Sequence, residues 1–217
     1  MSSLHTRHGG RRTYRGRGPV ERFEPAQTFL IVCEGERTEH NYFRAFRVAG
    51  DVRRIEVRGE GYNTLSLVRW AIELAAEQDY DQVWCVFDRD SFPLHSFNAA
   101  LELASRQGFH VAYSNEAFEL WYLLHFHFYN TGISREDYCK KLDQLLGRKY
   151  QKNDRGIYQE LLSRQAEAIR NARRLLAQCQ PPNPVSDNPS TTVFQLVEQL
   201  NQFLPENLRQ TVQENPR

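Results

Sequence analysis

Between Thr28 and Phe128, short apolar blocks alternate with amphipathic stretches of helical length. Thr28–Cys33 (TFLIVC) and Gln82–Phe87 (QVWCVF) are rich in β-branched and aromatic residues and are bounded by polar ones. That pattern marks strands buried on both faces of a parallel sheet. Arg54–Arg58 and Phe109–Tyr113 read as two further strands. Helices are predicted between them. The first covers Glu36–Val48, with Tyr42, Phe43 and Phe46 on one side and Thr38 placed to cap its start. The second covers Thr64–Gln78, with Leu67, Ala71 and Leu74 at helical spacing. The third covers about Ser96–Gln107, with Phe97, Leu101 and Ala104 as its stripe and Gly108 as its stop. Strand and helix alternating at these connection lengths imply right-handed crossovers. The fold class is α/β, a mostly parallel sheet flanked by helices.

From Glu116 the pattern is helical. Glu116–Phe128 carries Phe118, Trp121, Leu124 and Phe128, a heavily buried face. Ser134 with Asp137 resembles a helix start ahead of Leu142, Leu145 and Leu146, and Gly147–Lys152 forms a basic loop. One long helix is predicted over Gly156–Gln178, ended by Pro181, and an amphipathic helix over Thr192–Phe203 docks on the domain. The expected organisation is a flexible basic arm (1–24), an α/β core (25–130), a helical extension packed on it (131–204) and a frayed tail (205–217).

All four strands deliver acidic or polar residues at one end: Glu34-Gly35, Gly59-Glu60-Gly61, Asp88-Arg89-Asp90 and Ser114-Asn115. In an open α/β sheet, groups just beyond the carboxyl ends of separate strands converge, so Glu34, Asp88 and Asp90 are predicted neighbours. Carboxylates brought together repel unless protonated or bridged by a cation, and hard oxygen ligands suit Mg²⁺ or Mn²⁺. Asp88 and Asp90 would hold a metal, with Glu34 as a further ligand or general base. Glu119, in the first turn of its helix, lies near the same edge and would complete the coordination or an adjacent metal site. Loop polarity and helix capping are the competing account of these acids. Ser114 and Asn115 would either donate to a phosphate or cap the following helix. Arg89, Arg148, Lys149 and Lys152 are candidates for substrate binding, with Tyr150 available to stack a base, and a solvated charged loop explains them equally well. The glycines at 59 and 61 either admit a phosphate or make a tight turn. Glu36 and Glu39 are assigned to solvent or to orienting neighbours.

Composition narrows the class. A chain of 217 residues, 40% hydrophobic and 25% charged, suffices for one good core. The net charge of +1 names no partner. Its distribution is lopsided, because residues 1–19 hold Arg7, Arg11, Arg12, Arg15 and Arg17 and no acid. That arm is either a solvated tail or a contact to nucleic-acid phosphates. No apolar stretch has the length of a signal peptide or membrane span, so a cytoplasmic protein with no membrane partner is expected. Cys33, Cys85, Cys139 and Cys179 show no CxxC spacing, which speaks against a zinc site or disulfide framework. For His125 and His127, packing within an aromatic helix is favoured over metal ligation.

Taken in order, Val32-Cys-Glu-Gly-Glu-Arg-Thr-Glu39 with Tyr42-Phe43, then Phe87-Asp-Arg-Asp90, then Ser114-Asn-Glu-Ala-Phe-Glu-Leu-Trp121 ahead of Leu124-His-Phe126 resemble the RloB-like (AbiLii-type) family. The resemblance extends from about Phe29 to Leu200 and includes Asn188-Pro-Ser-Thr-Thr192. It implies a Toprim-like fold and Mg²⁺-dependent phosphodiester chemistry on nucleic acid, in bacterial defence against phage and often beside a partner ATPase. By position Glu34 takes the place of the Toprim glutamate, Asp88 and Asp90 that of its paired aspartates, and Glu119 is an additional acid. Ser91-Phe-Pro93 stands where the topoisomerase pattern has a third acid and a glycine. The expected function is a metal-dependent nuclease acting on DNA or RNA, tRNA included. The alternatives are a catalytically silent nucleic-acid-binding or regulatory subunit of an ATPase-containing complex, and a receiver- or phosphatase-like acidic pocket. A homo-oligomer is compatible with each.

Overall fold

The computed structural model describes residues 27–47, 54–59, 61, 63–89 and 94–213. The basic arm, Asp90, Ser91-Phe-Pro93 and residues 214–217 lie outside the described residues.

Strands β1 (Thr28–Cys33), β2 (Arg54–Gly59), β3 (Gln82–Asp88) and β4 (His110–Asn115) run parallel in the order β2-β1-β3-β4. A short β5 (Ser190–Thr191) joins β4 antiparallel. The alternation within β1 explains its uniform hydrophobicity: Phe29, Ile31 and Cys33 enter one layer, Leu30 and Val32 the other. Helices α2 (Thr64–Glu77) and α3 (Leu94–Arg106) cover the second face through Leu67, Val68, Ala71, Phe97, Ala100 and Ala104. The first face carries α1 (Thr38–Arg44), α4 (Glu119–Leu124), α5 (Arg135–Leu146), α6 (Ile157–Leu161), α7 (Gln165–Leu176) and α8 (Val193–Asn201). The helical C-terminal portion therefore shares one core with the sheet. Among the described residues, no helix is long and apolar enough to cross a membrane.

The crossovers share one hand. The step from β1 to β2 uses α1 on the first face, and the steps to β3 and β4 run the opposite way with α2 and α3 on the second, so reversing both direction and face preserves the handedness. Chain direction thus diverges beyond the adjacent ends of β1 and β3. That is the switch point at which α/β sheets open a crevice.

Several elements differ from their sequence expectation. The helix expected over Glu36–Val48 spans only Thr38–Arg44, and Thr38 does not cap it; its hydroxyl donates to Lys152 O at 3.4 Å. The helix expected over Glu116–Phe128 is Glu119–Leu124. Within it the expected packing role of His125 holds at the C-terminal end, where the ring is buried, Nδ1 lies 2.9 Å from Trp121 O, and burial lowers its pKa to about 4. The single helix over Gly156–Gln178 is α6, a 3-10 turn (Leu162–Arg164) and α7. Because the buried stripe Ile157, Leu161, Gln165, Ala168, Ala172 and Leu175 runs straight through that turn, periodicity does not reveal it. Where a frayed tail is expected, α9 (Glu206–Gln213) forms, held by buried Val212 and by Arg209 Nε donating to Leu204 O at 2.7 Å.

Candidate active site

Glu34 follows β1 directly and Asp88 ends β3, so strand pairing places them side by side. Glu34 N–H donates to Val86 O at 2.8 Å, and a Glu34 carboxylate oxygen accepts the Asp88 N–H at 3.1 Å. The acid after one strand is thereby bonded twice to the strand carrying the other. Around them lies a cavity of about 360 Å³ lined by Glu34, Gly35, Glu36, Arg37, Thr38, Glu39, Gly61, Asn63, Asp88, Glu119, Arg135 and Lys152. Glu119 enters at the start of α4 and is held by Tyr150, whose hydroxyl donates to its Oε1 at 3.1 Å.

The glycines of this edge have a packing cause. A Cβ on Gly35 would strike Glu39 Oε2, and a Cβ on Gly59 would lie 2.5 Å from Gly35 O. Close approach of the two loops therefore demands a small residue at Gly59, while a side chain at Gly35 would have to displace the Glu39 carboxylate. Gly61 has a left-handed φ of 68°, and Asn63 caps α2 by accepting Ser66 N–H at 3.1 Å.

The pocket is crowded with negative charge. Asp88 Oδ2 accepts Arg135 Nη2 at 3.0 Å, while Asp88 Oδ1 is buried without a hydrogen-bond partner. Burial, then the neighbouring Glu39 charge, holds the Asp88 carboxyl well above its usual range against the pull of Arg135. Burial likewise pushes Glu39 up from its ordinary 4.5 to about 7. Its own main-chain hydrogen bond, Arg135 and Lys152 oppose that rise and Glu119 adds to it. Five carboxylates, Glu34, Glu36, Glu39, Asp88 and Glu119, share the cavity with three basic side chains, Arg37, Arg135 and Lys152.

Sequence reasoning assigned Glu39 to solvent or to an orienting role; the structure buries it in this pocket at 6% exposure. It stands three and four residues before buried Tyr42 and Phe43, on the same helix face, and that spacing is the signal that marks it. Arg135, contributed by the first residue of α5, carries no such signal. Of the predicted basic residues, Lys152 lines the pocket and the others do not. Arg148 is engaged by Asp154 and Glu160, Lys149 by Asp143 at 3.3 Å, and the Arg89 guanidinium lies 6.0 Å from the centre of the Phe97 ring. Tyr150 is buried against Tyr122 and Glu119, so it offers no face for a base. Ser114 and Asn115 neither line the cavity nor cap α4. Ser114 Oγ shares a 3.0 Å hydrogen bond with Thr191 Oγ1, and Asn115 Nδ2 donates to Asp187 O at 2.9 Å, so both fasten β4 to the segment bearing β5.

The donor set fits a hard divalent cation in kind: five carboxylates line one cavity, one of them with a buried oxygen lacking any hydrogen bond. Yet among the described residues no three Asp, Glu, His or Cys side chains stand together so as to hold an ion. Arg135 takes one Asp88 oxygen instead.

A mostly parallel α/β sheet with an acidic pocket at its switch point defines the class, and it is consistent with a Toprim-like fold. Residues 29–200 match the RloB-like protein family, and the chain belongs to that family. No curated protein and no solved structure matches it.

Proposed function

We propose that this chain is a Mg²⁺- or Mn²⁺-dependent nuclease that hydrolyses phosphodiester bonds of DNA or RNA in bacterial anti-phage defence, acting with a partner ATPase. One observation carries the reading: Glu34, Asp88 and Glu119, from three separate segments, converge in one crevice together with Glu39, Arg135 and Lys152. The motifs noted in the acidic turns support the phosphodiester chemistry and the defence setting. Asp88 and Glu34 would hold the cation, which when bound supplies charge neutralisation at a phosphoryl oxygen and a water of lowered pKa. Glu34 is oriented for this by the Asp88 main chain, and Glu119 is held by Tyr150. Glu39, near half-protonation at neutral pH, is suited to take or return a proton at its carboxylate. Lys152 and Arg135 supply the positive charge that a phosphate needs.

A second reading, a regulatory subunit that binds nucleic acid without cutting it, is favoured by the Asp88–Arg135 ion pair, which satisfies one acid oxygen internally. The two separate when the purified chain, with and without the partner ATPase, meets labelled DNA and total RNA in Mg²⁺, Mn²⁺ or EDTA. Metal-dependent cleavage that Asp88→Ala abolishes while binding persists supports the nuclease. Binding without cleavage under every condition supports the regulatory subunit.

A further inference from the structure

Arg135 occupies an unusual position. It is the first residue of α5, where the helix dipole disfavours a cation, so its placement does not serve that helix. Its guanidinium instead reaches Asp88 Oδ2 and leaves Oδ1 bare. The two partners are unequal: the Asp88 side chain is 11% exposed on a central strand, whereas that of Arg135 is 35% exposed on a long flexible stem. Of the pair, the arginine is the member able to move. Glu39 and Glu119 add negative charge around Asp88, so the site retains an appetite for a cation once the guanidinium leaves. Lys152 enters the same cavity from another loop and, among the described residues, makes no ion pair.

We propose that Arg135 is shared between two anions, the Asp88 carboxylate and a substrate phosphate, and passes from the first to the second when a divalent cation competes for Asp88. The inference rests on the nuclease reading and deepens it by naming the residue that couples metal entry to phosphate capture. Guanidinium suits such an exchange because its planar fork matches carboxylate and phosphate alike. Coupling of this kind is reciprocal: the cation strengthens phosphate binding by the factor with which phosphate strengthens cation binding.

Two measurements on the full chain test it without any turnover. Mn²⁺ binding, followed by the paramagnetic resonance of free Mn²⁺, is compared in wild type, Arg135→Gln and Lys152→Gln. Arg135→Gln is expected to tighten Mn²⁺ by about tenfold, the order of one charge-assisted hydrogen bond no longer competed for. Lys152→Gln, which removes the same charge from the cavity without releasing Asp88, is expected to change it much less. Equal effects of the two would reduce Arg135 to a general field and overturn the exchange. The second measurement is anisotropy of a fluorescein-labelled phosphorothioate oligonucleotide in EDTA and in Ca²⁺. Ca²⁺ is expected to tighten binding in wild type and to lose that effect in Arg135→Gln; a Ca²⁺ enhancement that survives the substitution overturns the proposal. Arg135→Lys, which keeps the charge without the fork, is expected to lose most of the Ca²⁺ enhancement while folding as wild type does. If Asp88→Ala abolishes cleavage while Arg135→Gln matches wild type in both measurements, the nuclease reading stands and the exchange alone is lost. Failure of Mn²⁺ to bind any variant would overturn both.

Discussion

Glu39→Gln isolates the electrostatic cost of the pocket. The carboxyl is buried and its pKa stands at about 7 against an ordinary 4.5. A folded chain that holds this proton to higher pH than the unfolded chain gains stability that is fully present below about pH 4.5. That stability is lost as the pH rises through about 7. The gap corresponds to roughly 3 kcal/mol, at about 1.4 kcal/mol for each tenfold change in proton affinity. Glutamine copies the shape of the protonated acid and cannot ionise. Glu39→Gln should therefore match wild type within about 1 kcal/mol near pH 4.5 and exceed it by roughly 3 kcal/mol at pH 8, in EDTA. Urea unfolding at a series of pH values measures both curves, and their difference cancels the titrations that the substitution leaves unaltered. Asp88 titrates beside Glu39 and steepens the wild-type curve further. Parallel curves, with no divergence between pH 4.5 and 8, would refute the assignment of Glu39 to a desolvated acidic pocket.

Gly35→Ala places a Cβ against the Glu39 carboxylate, and an expected loss of about 1–3 kcal/mol should appear in thermal unfolding. Tyr150→Phe removes the hydroxyl that donates to Glu119, so urea unfolding at pH 7 should show a loss of about 1–3 kcal/mol, and unchanged stability would mean that the bond contributes nothing. Mg²⁺ should raise the melting temperature more at pH 7.5 than at pH 5.5, because cation binding must expel protons held by Glu39 and Asp88; an equal shift at both pH values would contradict that linkage. Removing residues 1–19 should weaken oligonucleotide binding at low salt and flatten its salt dependence, and an unchanged slope would exclude the arm from binding.

The sheet and its acidic edge were readable because they follow from short-range patterns. Buried runs such as TFLIVC and QVWCVF need no distant information, and β1–β3 adjacency then brings Glu34 and Asp88 together. Glu39 was within reach of the same reasoning, since its helical spacing from Tyr42 and Phe43 marks a buried face, but a carboxylate at such a position is ordinarily a solvated neighbour. Arg135, Tyr150 and β5 were out of reach for another reason. Their partners Asp88, Glu119 and Ser114 lie 47, 31 and 77 positions away along the chain, and no local pattern encodes such meetings. In the basic loop charge alone left substrate binding and a solvated loop equally open, and the structure pairs Arg148 and Lys149 with Asp154, Glu160 and Asp143.

The hydrogen bonds joining Glu34 to β3 make the acidic wall a single mechanical unit, in which displacing one acid drags the other. Arg135 and Lys152 arrive on separate elements, α5 and the loop ahead of α6. Whatever the cavity accepts can therefore be retuned by remodelling its cationic side, while the wall opposite stays as the strands set it.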